Sequence, residues 1–338
     1  MSDIPRLPEP LPDLEGELLR LVQQIPPGRV TTYGTLAEAL GSRAASRWVG
    51  RQLLGHPHTE TCTCHRVVRA GGELGGYGGG GAAKKRRRLR REGIRVAQGR
   101  VSLARHGYTE FCASRPLEAL ADWQSQLRQR VVTRNELGAL ASVGGVDVSY
   151  AGDQRAAAAY AQVAWSGGEL LGSSTCRGVV RFPYVPSFLA FRELPLLLEL
   201  VAAVRAQGQL ADVLLVDGAG ILHPRRMGIA TMLGVLAGVP TIGVTKKRLW
   251  GRVDLARLHP DRPQRVMDGE EWLGVALLPR HAKSRPLYVS PGHRVDVQMA
   301  CDLARQLLHD HRLPEPIFWA DRLSRAAARA ATAPAGAG

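Results

Sequence analysis

The spacing of apolar positions changes character along the chain, and the change divides it. Apolar residues at helical spacing predict a helix over Leu14 to Gln24; the turn IPPGR follows, then a second amphipathic stretch near Thr35 to Leu40. Another helix, rich in Gln, Arg and Leu, is predicted over Leu117 to Val132. From Val143 the pattern turns to alternation and short apolar runs, so VGGVDVSY, AAAAYAQVAW and LLGSSTCRGVV read as three consecutive strands. Afterwards the helix LAFRELPLLLELVAAVRAQ, the buried strand DVLLVDG, the helix RRMGIATMLGVLAG and the buried strand PTIGVTKK alternate. That βαβ rhythm predicts an α/β unit whose sheet is covered on both faces.

A length of 338 residues favours two domains. The boundaries expected are residues 1–97 for the first, 98–115 as a linker without periodicity, 116–325 for the second, and an Ala/Gly/Pro-rich disordered tail over 326–338. Lysine and arginine number 45 against 30 acids, a formal charge of +15, which suits a polyanionic partner and first of all nucleic acid. The segment GGELGGYGGGGAAKKRRRLRREG sets a flexible glycine loop directly before a basic helical run, a further reason to expect phosphate contacts. Five cysteines, an odd set without a regular framework, fit a reducing, cytoplasmic setting better than a secreted scaffold. The N-terminus lacks the basic start and apolar run of a signal peptide, and no apolar stretch reaches membrane-spanning length, so no membrane role is expected.

Three acids lie at the ends or flanks of apolar elements: Asp147 in VDVSY, Glu193 in AFRELP and Asp217 in LLVDGAG. One such acid can be a local cap. Three converging from adjacent elements make a hard-oxygen site suited to Mg2+. The segments VDVSY, FPYVPSFLAFRE, VDGAGILHPRRMGIA, TIGVTKKRLWG and VSPGHR, in that order over roughly Leu117 to Arg325, resemble endonuclease V. The resemblance implies a ribonuclease H-like mixed sheet with flanking helices, and a magnesium-dependent cut at the second phosphodiester bond 3′ of deoxyinosine in DNA. It also implies that Asp147, Glu193 and Asp217 hold the metal, that Lys246 and His293 are catalytic, and that His223 lies near a flipped base. Tyr184, stiffened between Pro183 and Pro186, resembles the family's wedge, and Gly218 and Gly220 would let backbone approach the base. Met232 departs from the histidine that many relatives carry, without an expected loss of chemistry.

Residues 12–97 resemble the DNA-binding domain of O6-alkylguanine-DNA alkyltransferases through IPPGRVTTYGTLAEAL, SRWVGRQLLGHP, TCHRVV and the GGYGGG to REG segment. This implies a small, mainly helical, winged helix-turn-helix-like domain on DNA containing O6-alkylguanine. Tyr33 would rotate a phosphate, Arg47 would fill the vacated stack, Cys64 would accept the alkyl group, and His65 would pass a proton toward Glu92. The family's proline before the cysteine is Thr63 here, and its asparagine is His56. Two alternatives stay open: a non-catalytic damage-binding module, or a small zinc module using His56, His58, Cys62, Cys64 and His65, whose spacing fits no standard finger.

Overall fold

The computed structural model describes residues 6–59, 61–152, 154–280 and 285–330. They form two compact units, one of Pro10–Trp123 with Phe182–Phe188, the other of residues 6–9 and Gln124–Arg181 with the described chain from Leu189 onward.

The small unit opens with α1 (Leu14–Gln23), whose buried Leu14, Leu18, Leu21 and Val22 make one helical stripe and whose first turn is capped by Asp13 accepting from the Gly16 N–H. Then come β1 (Thr31–Thr32), α2 (Tyr33–Ala39) capped by Thr32, α3 (Ser46–Gly55), β2 (Val67–Val68) and the basic α4 (Gly81–Arg91). A hairpin of β3 (Val96–Ala97) and β4 (Arg100–Val101) follows, then α5 (Leu103–His106) and α6 (Pro116–Arg128). Strands β1 and β2 pair in parallel. Val30, Val68, Leu74, Leu89, Ile94, Val96 and Val101 form its buried cluster.

The expected linker over 98–115 is therefore corrected. Gln98 and Gly99 both take positive φ, 48° and 75°, as a tight two-residue hairpin turn demands. Val101 is buried, its N–H donating to Gly72 O, and the Tyr108 N–H donates to Val30 O, so this stretch is part of the small unit. The unit also extends into α6, beyond the boundary at residue 97.

The large unit contains β5 (Ser142–Ala151), β6 (Arg155–Ala164), β7 (Leu170–Val179), α7 (Leu189–Ala206), β8 (Val213–Asp217), α8 (Ile229–Ala237) and β9 (Thr241–Thr245). It continues with β10 (Gln264–Asp268), β11 (Glu271–Leu277), β12 (Leu287–His293), α9 (Val297–Gln306) and α10 (Glu315–Ala330). One eight-stranded mixed sheet runs β10-β11-β12-β9-β8-β5-β6-β7. Its centre, β5-β8-β9, is parallel; the pairings outside it are antiparallel. The expected mixed α/β sheet is present, enlarged by β10 to β12. Residues 326–330 of the expected disordered tail continue α10, because Ala328 is buried beside Ala151 and Ala157; 331–338 lie outside the described residues.

Helix α10 is held on the sheet by a glycine. A Cβ on Gly145 of β5 would sit 2.1 Å from Pro316 O, so only glycine admits the first turn of α10 there. From Pro316 to Ser324 the helix rises about 12 Å, and from Gly145 to Ser149 the strand rises about 13 Å, so the two run in step. Ser324 Oγ reaches Ser149 Oγ at 2.9 Å as a result.

Candidate functional site

Asp147 stands in β5 and Asp217 ends β8; the register Val146↔Val216 makes them neighbours across a parallel pair. The matched rise of α10 adds Asp321, and one carboxylate oxygen from each of Asp147, Asp217 and Asp321 lies within 4.8 Å of the others. Ser324 Oγ donates to Asp147 Oδ2 at 2.5 Å. Lys246, directly after β9, donates to Asp217 Oδ2 at 2.7 Å and lies 3.7 Å from Asp321 Oδ1. Burial, then the Asp217 charge, pushes Asp147 up to about 6. Burial alone would lower Lys246, but Asp217, Asp321 and Asp147 outweigh it and hold the ammonium above its usual value. Lys247 is exposed, as expected.

Glu193, expected as a third ligand, lies outside the group of acids whose oxygens converge within 4.8 Å. It is buried on α7, where Tyr150 OH donates to its Oε1 at 2.6 Å. Burial, reinforced by Asp147 and Asp217, pushes its carboxyl up to about 8.

His293, expected to be catalytic, lies toward the other end of β9 from Lys246. It pairs with Thr241 at the first residue of β9, whereas Lys246 follows the last, about 15 Å along the strand. Its Nδ1 accepts from the Val132 N–H at 3.3 Å, and burial with Arg294 beside it pushes the imidazole down to about 4. It is a buried histidine whose charged form burial disfavours. His223 is buried in the loop after β8, its Nδ1 accepting from the Arg225 N–H at 3.2 Å.

The two glycines of DGAG are accounted for by packing. A Cβ on Gly220 would lie 2.0 Å from Pro291 O of β12, and one on Gly218 2.2 Å from Ile229 Cγ2 of α8. Met232 is buried, with Gln124 Nε2 3.2 Å from its sulfur.

In the small unit, His65 Nε2 meets Glu92 Oε1 at 2.7 Å, and Arg66 binds the same carboxylate through Nε at 2.9 Å. Burial would raise Glu92, but Arg66 and His65 outweigh it and hold it below the usual range; burial also lowers His65, whose Nδ1 has no hydrogen-bond partner. Cys64 is buried and its Sγ lies 3.3 Å from His58 Nδ1. Cys62, hydrogen-bonded by Cys64, is held down to about 4. Tyr33 donates weakly to Gly76 O at 3.5 Å, and Arg47 is exposed on α3. Tyr184 is 56% exposed between half-buried Pro183 and Pro186, while Phe182, Val185 and Phe188 anchor the segment. The basic run splits: Arg86, Arg87, Arg90 and Arg91 are exposed, but Lys85 is fully buried, donating to the carbonyls of Val67, Leu74 and Gly76.

Comparison with known proteins bears on both units. Residues 125–322, more than half of the chain, match the Endonuclease V family. The chain belongs to the endonuclease V family. It is an endonuclease whose residues 13–94 match a second family, the 6-O-methylguanine DNA methyltransferase DNA-binding domain. A "Bifunctional methyltransferase/endonuclease" of Picrophilus torridus is 34% identical over 300 residues, covering 88% of this chain and 92% of that protein. The crystal structure of human ENDOV is 35% identical with a TM-score of 0.59, covering 64% of this chain and 99% of that one. Endonuclease V of Ciona intestinalis, in complex with a 24mer DNA containing an inosine followed by a ribo-adenosine, is 27% identical with a TM-score of 0.56, covering 63% of this chain and 99% of that one.

Within this endonuclease V chain, the residue that sequence reasoning missed is Asp321. It follows FWA and precedes two arginines, so it reads as one member of a surface Asp–Arg pair, and Arg325 does accept that role at 2.8 Å. Only the paired rises of α10 and β5 reveal its other side.

Proposed function

We propose that the large unit is a Mg2+-dependent nuclease that nicks DNA at the second phosphodiester bond 3′ of deoxyinosine. The observation that carries this reading is the convergence of Asp147, Asp217 and Asp321 beside Lys246. The donor set fits a hard cation: three carboxylates, with no sulfur or imidazole among them. Held there, magnesium would lower the pKa of water and stabilise the departing oxygen.

The protein's own groups prepare that site. Ser324 binds one oxygen of Asp147 and so orients the carboxylate. Lys246 keeps its proton, giving a cation beside the acids that offsets charge building on a phosphate. Glu193, protonated at neutral pH with Tyr150 fixing its Oε1, stores a proton behind the acids. Tyr184, exposed and stiffened by prolines, suits a wedge that holds open the gap left by an extruded nucleotide. Within the large unit, His223 and the DGAG backbone are candidates for the base side. In support, the Ciona relative was crystallised on inosine-containing DNA.

The small unit is inferred to bind DNA through α3, which carries Arg47, and through the exposed arginines of α4. Acceptance of an alkyl group from O6-alkylguanine by Cys64 is a second reading, favoured by the adjacent His65–Glu92 pair and the Picrophilus relative's name. The sulfur would bond the alkyl carbon as that carbon's bond to guanine O6 breaks, leaving guanine and an S-alkyl cysteine.

A duplex with one deoxyinosine tests the nuclease reading. Magnesium-dependent nicking of the inosine strand, lost in Asp217→Ala, is expected; wild-type protein that leaves it intact, like Asp217→Ala, refutes it. A mass increase on the Cys64 peptide after exposure to methylated-guanine DNA is the test of transfer.

A further inference from the structure

Between α3 and β2 the small unit gathers four donor side chains that the nuclease does not use. His56, His58, Cys62 and Cys64 each place one ligand atom so that all four lie within 4.8 Å of one another. His56 Nε2 lies 3.1 Å from Cys62 Sγ, and His58 Nδ1 lies 3.3 Å from Cys64 Sγ. We infer that these four side chains form a closed zinc site, bound through His56 Nε2, His58 Nδ1 and the two sulfurs.

The donor set is the first argument. Two thiolates and two imidazoles are the ligands of tetrahedral structural zinc, and bonds of the usual length put neighbouring donors about 3.3–3.8 Å apart. The His56–Cys62 and His58–Cys64 separations lie just below or at that range, and the remaining donors, all within 4.8 Å, need to draw in by no more than about 1.5 Å to reach it.

The second argument is the ring atom each histidine turns away. His56 Nδ1 lies 3.1 Å from Leu53 O, and His58 Nε2 lies 3.5 Å from Leu54 O. Both carbonyls belong to the last turn of α3, where helix geometry leaves them without intrahelical partners. A proton held on the outer nitrogen leaves the lone pair on the inner one, which orients each ring as a ligand.

Enclosure is the third. His56 and Cys64 are buried, with His58 and Cys62 half-buried. Gly78 of the glycine-rich loop covers the group from outside: a Cβ there would lie 2.3 Å from His58 Nε2 and 2.2 Å from Leu54 O. Tyr77 sets its ring edge-on to His58 at 5.3 Å. The glycine loop thus acts as a roof over the four donors. His65 stays outside the group, committed to Glu92.

The alternative is a set of S–H···N hydrogen bonds, but thiols are weak donors and give little return for burying His56 and Cys64 and half-burying His58 and Cys62. Metal binding and alkyl acceptance draw on the same Cys64 sulfur, yet only the metal requires His58 and Cys62.

The test uses the reduced full chain, purified without chelators and with its thiols titrated. About one zinc per chain is expected. After replacement by Co2+, a thiolate-to-metal charge-transfer band with strong tetrahedral visible bands should appear, and weaken both in Cys62→Ser, which leaves one thiolate, and in His58→Gln. Asp147→Asn should leave the bands intact, because carboxylates give no thiolate transition. Reduced wild-type protein that holds no zinc and gives no charge-transfer band overturns the inference, whether or not the variants fold. So does a band that persists undiminished in Cys62→Ser.

Discussion

Replacing Asp321 by asparagine should make the metal-free protein more stable while removing its nuclease activity. The substitution keeps the side chain's volume and removes one charge. The ligand oxygens of Asp147, Asp217 and Asp321 lie within 4.8 Å, so each of the two repulsions Asp321 makes is at least about 3.5 kcal/mol at an effective dielectric near 20. Lys246, 3.7 Å away, returns about 4.5 kcal/mol on the same scale. Arg325 is 59% exposed and adds under about 1 kcal/mol. The balance is roughly 2 kcal/mol of repulsion relieved, which for a unit of this size raises Tm by about 4–8 °C. The assay is thermal melting in EDTA with and without excess magnesium, alongside nicking of the inosine duplex. The variant should melt higher than wild type in EDTA, gain less from magnesium, and nick about 100-fold more slowly or worse. A variant that melts lower in EDTA, or that nicks at near wild-type rate, would refute the placement of Asp321 at the metal.

His293→Asn should cost stability through the lost Val132 bond, by about 1–3 kcal/mol, yet leave the single-turnover nicking rate of the folded fraction nearly unchanged; a large rate loss there would mean the histidine does act on DNA. Gly145→Ala forces a Cβ against Pro316 O and should cost about 3 kcal/mol or more by overpacking, with nicking lost in whatever fraction stays folded, since Asp321 and Ser324 move with α10. Asp147 and Glu193 are raised to about 6 and about 8, so the folded state holds protons that the unfolded chain releases. Their contribution to metal-free stability is complete below about pH 4 and is lost as pH rises through those two values. Magnesium bound at the proposed site would displace these protons, so its stabilising shift in Tm should be larger near pH 8 than near pH 6; an equal shift at both would count against the assignment.

The parts of the fold legible in the sequence were those with a clear pattern. Strand β7 alternates along most of its length, β5 and β6 are runs of small and apolar residues bounded by turns, and β8 and β9 are short apolar runs. Strands β10 to β12 escaped because QRVMD is short and LYVSPGH carries proline and glycine inside a strand, which propensity disfavours. A register shift between Pro291 and His293 shows how the sheet accommodates them. The acids of β5 and β8 could be anticipated because each interrupts an apolar run. Asp321 could not, since its amphipathic helix has charged neighbours that explain it equally well. His293 is a different case: the order of segments along the chain carries no information about which end of a strand a residue occupies. The four donors around Cys64 were visible as residues, but only the last turn of α3 shows which nitrogen each histidine presents.

The carboxylates of the large unit are divided by environment. Asp147, Asp217 and Asp321 converge at half-buried positions with Lys246 among them, so cation and anions share one partly wet cluster. Glu193 is dry, bonded by Tyr150, and repelled by two of the same acids, which keeps its proton in place at neutral pH. A carboxyl in that state contributes no ligand charge to the resting site, and it ionises only when positive charge arrives to offset Asp147 and Asp217. Cation binding and proton release at Glu193 are thereby linked through electrostatics alone. The number of protons released on magnesium binding at pH 7 should fall in Glu193→Gln, even though that residue stands outside the three-acid group.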